Sequence, residues 1–213
     1  MQIINMLYNT LIYSAQALEC QLKRCFSGHK STNNFLKIVT IYNKISKKSS
    51  NIAIFHRLYD ENFPDSERRD WQEVLLLMEK DNRFNAVVAS VENQVVGFVT
   101  YWTFEDFNYI EHLAVDATQR NNGTGGSLLE LVTALQRPVL LEVELPADNV
   151  AQRRIRFYEK RGLVYHGEID YLQPPYGTGK PSVAMGLMTS PSMSTPMVEN
   201  AIRVLRSEVY RCK

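Results

Sequence analysis

The apolar and polar positions of the chain predict an ordered alternation of strands and helices that begins near residue 36. Strict alternation indicates strands, and apolar side chains every three to four residues indicate helices. The predicted elements, in chain order, are a strand over 36–42, helices over 51–63 and 67–80, strands over 84–91, 95–104 and 109–115, a helix over 127–136, a strand over 138–144, a helix over 153–161 and strands over 164–171 and 182–188. This order is that of an α+β domain without internal repeats.

Both ends of the chain differ from this domain. Residues 1–34 contain neither an apolar run long enough to span a bilayer nor the basic start and cleavage site of a signal peptide. We predict a helical or disordered extension over 1–34, one domain over 35–189, and a linker with a C-terminal helix over 190–213. Thr195 is the expected N-cap of that helix, and its apolar stripe favours packing on its own domain over binding a partner.

Composition narrows the classes of function. A net charge of +1 over 213 residues gives no bias toward nucleic acid or membrane, so we expect neither as a partner. Three cysteines, Cys20, Cys25 and Cys212, are too few and too peripheral for a disulfide framework, which fits a cytoplasmic protein. The cysteine and histidine spacings match no zinc site, and we expect no metal ion.

The most informative segment is a glycine-rich turn before the helix over 127–136. It consists of Arg120, Asn121, Asn122, Gly123, Thr124, Gly125 and Gly126. Such a turn presents unpaired backbone N–H groups and the positive end of the helix dipole, which together bind anions such as phosphates. The turn lacks the Lys-Ser/Thr pair of a Walker loop, and Leu128 stands where a dinucleotide fingerprint has its third glycine.

Two motifs in order resemble those of the GNAT acyltransferase superfamily. Arg120, Gly123 and Gly125 match its Arg/Gln-x-x-Gly-x-Gly/Ala turn, which binds acetyl-CoA. Downstream, the segment 158–163 resembles the family's Tyr-Glu-Lys-x-Gly-Phe signature, with Leu163 in place of Phe. The resemblance covers roughly 35–189. It implies the GNAT fold, a mixed, mostly antiparallel central sheet with splayed fourth and fifth strands and helices on both faces.

The resemblance also implies where acetyl-CoA would lie. Pantetheine would pair with the main chain of Leu113 and Val115 in the gap between the fourth and fifth strands. The pyrophosphate would meet the amides of the glycine-rich turn. The family often carries an Asn seven residues before its signature Tyr, but that position is Ala151 here. The nearby Asn149 is the remaining candidate for this CoA contact.

Acyl transfer to an amine requires a base, a donor for the oxyanion and an acid for the leaving thiolate. The motif position of Tyr158 implies that its hydroxyl is the acid. Glu111 on the fourth strand is the first candidate for the base. Glu142 and Glu144, which share one face of the fifth strand, are alternatives to it.

Two loops, 62–69 and 171–177, would wall the acceptor pocket in the resembled fold. Glu67, Arg68 and Gln173 are the polar side chains in them that are suited to read a polar acceptor. We therefore predict an acetyl-CoA-dependent N-acetyltransferase with a small-molecule or peptide amine as acceptor, and a homodimer stays open. The alternative is a non-catalytic acyl-CoA-binding or regulatory module on the same fold.

Overall fold

A computed structural model of the chain describes residues 37–39, 50–91 and 94–212. The extension predicted over 1–34 lies outside these ranges. All described elements belong to one compact unit, residues 36–213. Among the described residues, none of the helices has both the length and the apolar character needed to cross a membrane.

Within the described ranges, the predicted elements are present with shifts of a few residues at their ends. The strands β1 to β7 span Lys37–Val39, Phe84–Val91, Gln94–Thr103, Asn108–Val115, Val139–Glu144, Val164–Gln173 and Val183–Thr189. The helices α1 to α5 span Ser50–Asn62, Trp71–Lys80, Thr124–Thr133, Asn149–Glu159 and Thr195–Val204. Single turns of 3₁₀ helix lie at Asp65–Glu67 and Ala117–Gln119, and a π-helical turn at Leu205–Val209 follows α5.

The strands form one sheet in the order β1-β2-β3-β4-β5-β7-β6. The pairings are antiparallel, with one parallel pair between β4 and β5. That parallel ladder is short and runs only from Asn108 opposite Val139 to Ile110 opposite Leu141. Beyond it the two strands separate, which confirms the predicted mixed, mostly antiparallel sheet with splayed fourth and fifth strands.

Helices cover both faces of this sheet. Phe98 and Trp102 of β3 are fully buried and belong to a core cluster with side chains of α1, α2 and α5. Because side chains alternate along a strand, Val99 and Tyr101 face the opposite side, and α3 packs against β3 and β4. The candidate functional site lies where β4 and β5 part.

The C-terminal helix packs on its own domain, as its apolar stripe predicts. Val198, Leu205 and Val209 are at most 2% exposed. The predicted N-cap is off by one residue, because Ser194 has the extended backbone of a cap and its carbonyl accepts from the Val198 amide. Thr195 is therefore the first helical residue. This helix carries the chain to Tyr210, which enters the site.

Candidate functional site

The glycine-rich turn forms the N-terminus of α3. Gly123 is the N-cap and has a left-handed backbone, with φ of 85°, which a side chain would strain. The first intrahelical bond runs from the Ser127 amide to the Gly123 carbonyl. The helix thus begins three residues earlier than predicted, so Thr124, Gly125 and Gly126 occupy its first turn. Their amides precede the first intrahelical donor, which makes this turn the candidate anion site.

Arg120 holds this turn in place. Its Nε donates to the Val115 carbonyl at 3.2 Å, and its terminal nitrogen donates to Asn62 Oδ1 at 2.9 Å. The side chain therefore ties the end of β4 to the end of α1. Because these Arg120 nitrogens donate to groups of the protein, the backbone amides of the turn are better candidates than the Arg120 side chain for binding a pyrophosphate. Asn121 and Asn122 are exposed beside them.

Arg161 is a basic residue at this site that sequence reasoning missed. Its guanidinium lies 4.0 Å from the centroid of the Phe157 ring. A Cβ built on Gly126 would lie 2.6 Å from the guanidinium, which places Arg161 at the N-terminus of α3. Arg161 occupies the variable position x of the Tyr-Glu-Lys-x-Gly signature. Its place beside the signature Tyr was the one hint in the sequence that this basic side chain belongs to the site. Arg161 adds positive charge where the helix dipole already favours an anion.

The gap between β4 and β5 begins directly after Ile110. Leu113 and Val115 stand opposite Val99 and Gly97 of β3, and the next residue, Asp116, donates its amide to the Val96 carbonyl. Because the N–H and C=O groups of successive residues point to alternate edges of a strand, those of Leu113 and Val115 point away from β3 and toward the gap. A register shift in the β3–β4 ladder falls between Thr100 and Tyr101, opposite His112 and Ile110, and leaves Glu111 as the extra residue of a bulge. The gap has the open strand edge that an extended chain with amide groups, such as pantetheine, would pair with.

The N-terminus of α4 lies at the end of β5. Asp148 caps the helix, since its Oδ1 accepts from the amides of Val150 and Ala151 at 2.7 Å and 2.8 Å. Asn149 is the first helical residue and is exposed, whereas Ala151 is buried. Asn149 therefore does not serve as the cap and stays available as a candidate CoA contact.

Tyr158 lies on α4 and is 7% exposed. Burial raises the pKa of its hydroxyl to about 12, and the nearby Arg154 and Glu144 act on it with opposite signs. The hydroxyl is thus neutral at physiological pH and able to donate. Within the described residues its hydroxyl has no hydrogen-bond partner, while Arg154 and Glu144 form an ion pair with each other. Tyr158 therefore sits beside the open end of β5 with a free donor.

Glu111 is bound to a buried arginine. Its carboxylate accepts from Arg69 Nε at 2.9 Å and from Trp102 Nε1 at 2.8 Å, and both side chains of the ion pair are at most 2% exposed. Burial by itself would raise the pKa of Glu111, but Arg69, His112 and Trp102 together lower it. Arg69 also binds Glu73. This environment makes Glu111 a weak base and an effective anchor for the loop that carries Arg69.

A second buried carboxylate, Glu142, lies on β5 immediately after the last pair with β4. Its oxygens accept hydrogen bonds from four side chains: Tyr109 at 2.8 Å, Gln173 at 2.7 Å, Tyr210 at 2.6 Å and Tyr171. We call Glu142 and these four side chains the Glu142 cluster. Desolvation raises the pKa of Glu142, although the hydrogen bonds oppose this shift. Tyr210 of the C-terminal segment could not be anticipated, because nothing in the local sequence connects it to β5.

The two loops expected to wall the acceptor pocket are joined to the sheet and to each other. His112 Nε2 donates to the Glu67 carbonyl at 3.1 Å, and the Tyr176 ring stacks on the imidazole. Since a carbonyl only accepts, Nδ1 of the neutral ring accepts from the Thr100 hydroxyl. Lys180 Nζ, beyond the second loop, donates to the Arg68 carbonyl at 2.8 Å. The loops therefore lie side by side over the face of the sheet that carries the Glu142 cluster.

Comparison with known proteins agrees with this geometry. Residues 52–163, more than half of the chain, match the model described as "Acetyltransferase (GNAT) family". A protein of Bacillus subtilis (strain 168), "Putative acetyltransferase YjbC", is 30% identical over 80 residues, which are 36% of this chain. That match covers only 41% of the relative's own length.

Solved structures show the same fold. A chain from Bacteroides thetaiotaomicron described as "Putative acetyltransferase from GNAT family" has a TM-score of 0.72 and 32% identity, over 84% of this chain and 100% of its own. The ribosomal-protein-S18-alanine N-acetyltransferase from Escherichia coli has a TM-score of 0.51 and 19% identity, over 75% of this chain and 96% of its own. Arabidopsis thaliana Naa50 in complex with the bisubstrate analogue CoA-Ac-MVNAL has a TM-score of 0.53 and 18% identity, over 74% of this chain and 100% of its own. The last two similarities show the fold alone. The chain belongs to the GNAT acetyltransferase family, an acyltransferase family that uses CoA-linked acyl donors.

Proposed function

We propose that the protein is an acetyl-CoA-dependent N-acetyltransferase that acts on a primary amine by direct attack. The observation that carries this proposal is the meeting of three features where β4 and β5 part. The N-terminus of α3 supplies amide donors for a pyrophosphate. The edge of β4 beyond Ile110 offers partners for pantetheine. Tyr158 supplies a free hydroxyl beside them.

In this mechanism the amine nitrogen attacks the thioester carbonyl carbon, and a C–N bond forms. A backbone amide of β4 holds the oxyanion while the C–S bond breaks, and the nitrogen loses its extra proton to a base. A thiol has a pKa of about 8.5. The pKa of Tyr158, about 12, is higher, so full proton transfer to the thiolate is uphill. Tyr158 then acts mainly as a hydrogen-bond donor to the developing thiolate, and the proton released by the amine completes the thiol.

The base must remove a proton from an amine that is mostly protonated at neutral pH. Glu111, the first candidate from the sequence, is ion-paired to Arg69, and this favours a positioning role for it. Glu142 accepts four hydrogen bonds, and Glu144 is paired with Arg154. The oxygens of all three carboxylates are therefore already engaged by hydrogen-bond or ion-pair partners within the protein.

The test is an assay of free CoA thiol with acetyl-CoA and a panel of primary amines. Wild-type protein is expected to release thiol with at least one amine, and Tyr158→Phe to release it far more slowly while still binding acetyl-CoA. A non-catalytic acyl-CoA-binding module, the alternative that the sequence left open, would bind acetyl-CoA and release no thiol with any amine. The small-molecule or peptide nature of the acceptor, the cytoplasmic location and a homodimer stay predictions.

A further inference from the structure

The C-terminal turn, residues 205–210, lies beyond the segment 52–163 that the family model matches, yet its last residue enters the candidate site. It is wound as a π-helical turn over Leu205–Val209, and the Tyr210 amide closes it by donating to the Leu205 carbonyl at 2.9 Å. Such turns are rare and occur frequently at functional sites. Tyr210 is only 8% exposed. The turn therefore brings a buried tyrosine to the sheet from a segment outside the family match.

The two strands part at a pair of carboxylates. The last pair of the parallel ladder is Ile110 with Leu141, so Glu111 and Glu142 are the first residues beyond it. Continued by one residue, this register would set one carboxylate opposite the other. Like charges directly opposite each other destabilise a strand pair, so these two side chains favour separation of β4 from β5 at this point. The width of the opening then depends on the partners that hold each carboxylate.

The C-terminal turn is connected to both carboxylates. The Val209 carbonyl accepts from Arg69 Nη2 at 2.8 Å, and Nε of the same guanidinium donates to Glu111 at 2.9 Å. The next residue, Tyr210, donates its hydroxyl to Glu142 at 2.6 Å. Two consecutive residues of the turn thus reach β4 through an arginine and β5 directly.

The ring and the hydroxyl of Tyr210 have separate contacts. The ring packs on the Tyr176 ring, with the centroids 5.0 Å apart. The hydroxyl lies 3.0 Å from the hydroxyl of Tyr109 on β4, in addition to its bond to Glu142 on β5. Since Tyr109 also donates to Glu142, at 2.8 Å, the three groups join the two strands at the point where they part. Replacement of Tyr210 by Phe would remove the hydroxyl contacts and keep those of the ring.

We propose that Tyr210 is a positioning residue for the acyl donor: through Glu142 it holds β5 at a fixed distance from β4, and so sets the opening in which pantetheine pairs with the β4 edge. This inference rests on the proposed function, because it places the acyl donor in the gap. An opening that is fixed before the ligand arrives needs little rearrangement on binding, which favours affinity. Without the Tyr210 hydroxyl, Glu142 keeps its other three donors but loses its connection to the C-terminal turn, and β5 gains freedom to move relative to β4.

The test is calorimetry on the full chain with two ligands, acetyl-CoA and the 3′-phosphorylated ADP that forms its nucleotide portion. The second ligand lacks pantetheine and has nothing to place in the gap. A hydrogen bond to a charged group contributes about tenfold or more to an equilibrium, and part of this is expected to reach the gap, so Tyr210→Phe should bind acetyl-CoA about five- to tenfold more weakly than wild type. Its affinity for the nucleotide should be unchanged. An unchanged affinity for acetyl-CoA, or an equal loss for both ligands, would overturn the proposal.

Two further variants separate positioning from packing. Tyr101→Phe is the matched control, because Tyr101 is 4% exposed on the opposite face of β3, and it should change neither affinity. Glu142→Gln combined with Tyr210→Phe should bind acetyl-CoA as weakly as Glu142→Gln alone, since both changes break one connection. Additive losses would show that Tyr210 does not act through Glu142 and would overturn the proposal.

Unfolding in urea and thiol release complete the test. If Tyr210→Phe is less stable than wild type but keeps both affinities, the C-terminal turn only completes the core and the positioning role is refuted. If the affinities change as expected but wild-type protein releases no thiol with any amine, Tyr210 positions a bound acyl-CoA and the proposed acetyl transfer fails. The two claims therefore fail separately.

Discussion

Replacing Glu111 with Gln should destabilise the fold strongly, because it leaves Arg69 as a buried cation with one carboxylate fewer. The two side chains are 2% and 0% exposed, so solvent screens their attraction little. Two unit charges about 4 Å apart at an effective dielectric constant near 20 attract by roughly 4 kcal/mol. Removing one partner of such a buried pair typically costs about 3–5 kcal/mol. Arg69 keeps Glu73 and the Val209 carbonyl, which favours the lower end of that range.

The assay is urea or thermal unfolding at two pH values. For a chain of this size the expected loss corresponds to a fall in Tm of roughly 6–20 °C at neutral pH. The pKa of Glu111 is lowered in the folded state, so its stabilising contribution is present above its unfolded pKa of about 4.3 and is lost as pH falls through the folded value. The difference between wild type and Glu111→Gln should therefore shrink in acid.

The control is Glu79→Gln, a change of the same charge on an exposed side chain, which should stay within about 0.5 kcal/mol of wild type. If Glu111→Gln unfolds like wild type but loses turnover and the acidic limb of its pH–rate profile, then Glu111 is the base and the anchoring role is refuted. If it is unstable and the enzyme that remains folded keeps a normal profile, the ion pair serves to position the loop that carries Arg69.

Three further changes test other parts of the site. Tyr158→Phe removes a hydrogen-bond donor to the developing thiolate and should lower kcat by roughly 10²–10³-fold with an unchanged Kd for acetyl-CoA, measured by thiol release and calorimetry. An unchanged kcat would remove Tyr158 from the reaction. Gly123→Ala places a side chain at φ of 85°, which should lower the free energy of unfolding by about 1–2 kcal/mol and weaken acetyl-CoA binding. An acetyl-CoA affinity equal to that of wild type would argue against the N-terminus of α3 as the phosphate site. Asp148→Ala removes the cap of α4 and should cost about 0.5–2 kcal/mol of unfolding free energy, whereas Asp148→Asn should restore most of it.

The sheet and the glycine-rich turn could be predicted because their signals are local. Runs of apolar and β-branched residues bounded by turn and proline signals identified β2 to β5, and the two motifs about 35 residues apart, at Gly123 and Tyr158, indicated the family. Helix starts were less accurate, since α3 begins at Thr124 within the turn and α4 begins at Asn149 after its cap. Glycines and polar capping residues are typical of loops in a sequence pattern. In the structure, however, they form the cap or the first turn of α3 and α4.

The surroundings of the candidate bases could not be predicted, because they depend on contacts between distant segments. Glu111 meets Arg69 from 42 residues away, and Glu142 meets Tyr210 from 68 residues away. Such pairs form only once the strands have set the register and the C-terminal helix has packed. The sequence could name the carboxylates near the gap, but their basicity depends on these long-range partners.

Transfer of an isotopically labelled acetyl group from CoA to an amine tests the central claim most directly. The protein would be incubated with labelled acetyl-CoA and a panel of primary amines, and the products identified by mass spectrometry. Acetyl transfer would give labelled amide on the amine nitrogen in equal amount to free CoA, with little of either from Tyr158→Phe. Label that stays on CoA, or appears only as free acetate, would contradict acetyl transfer to an amine.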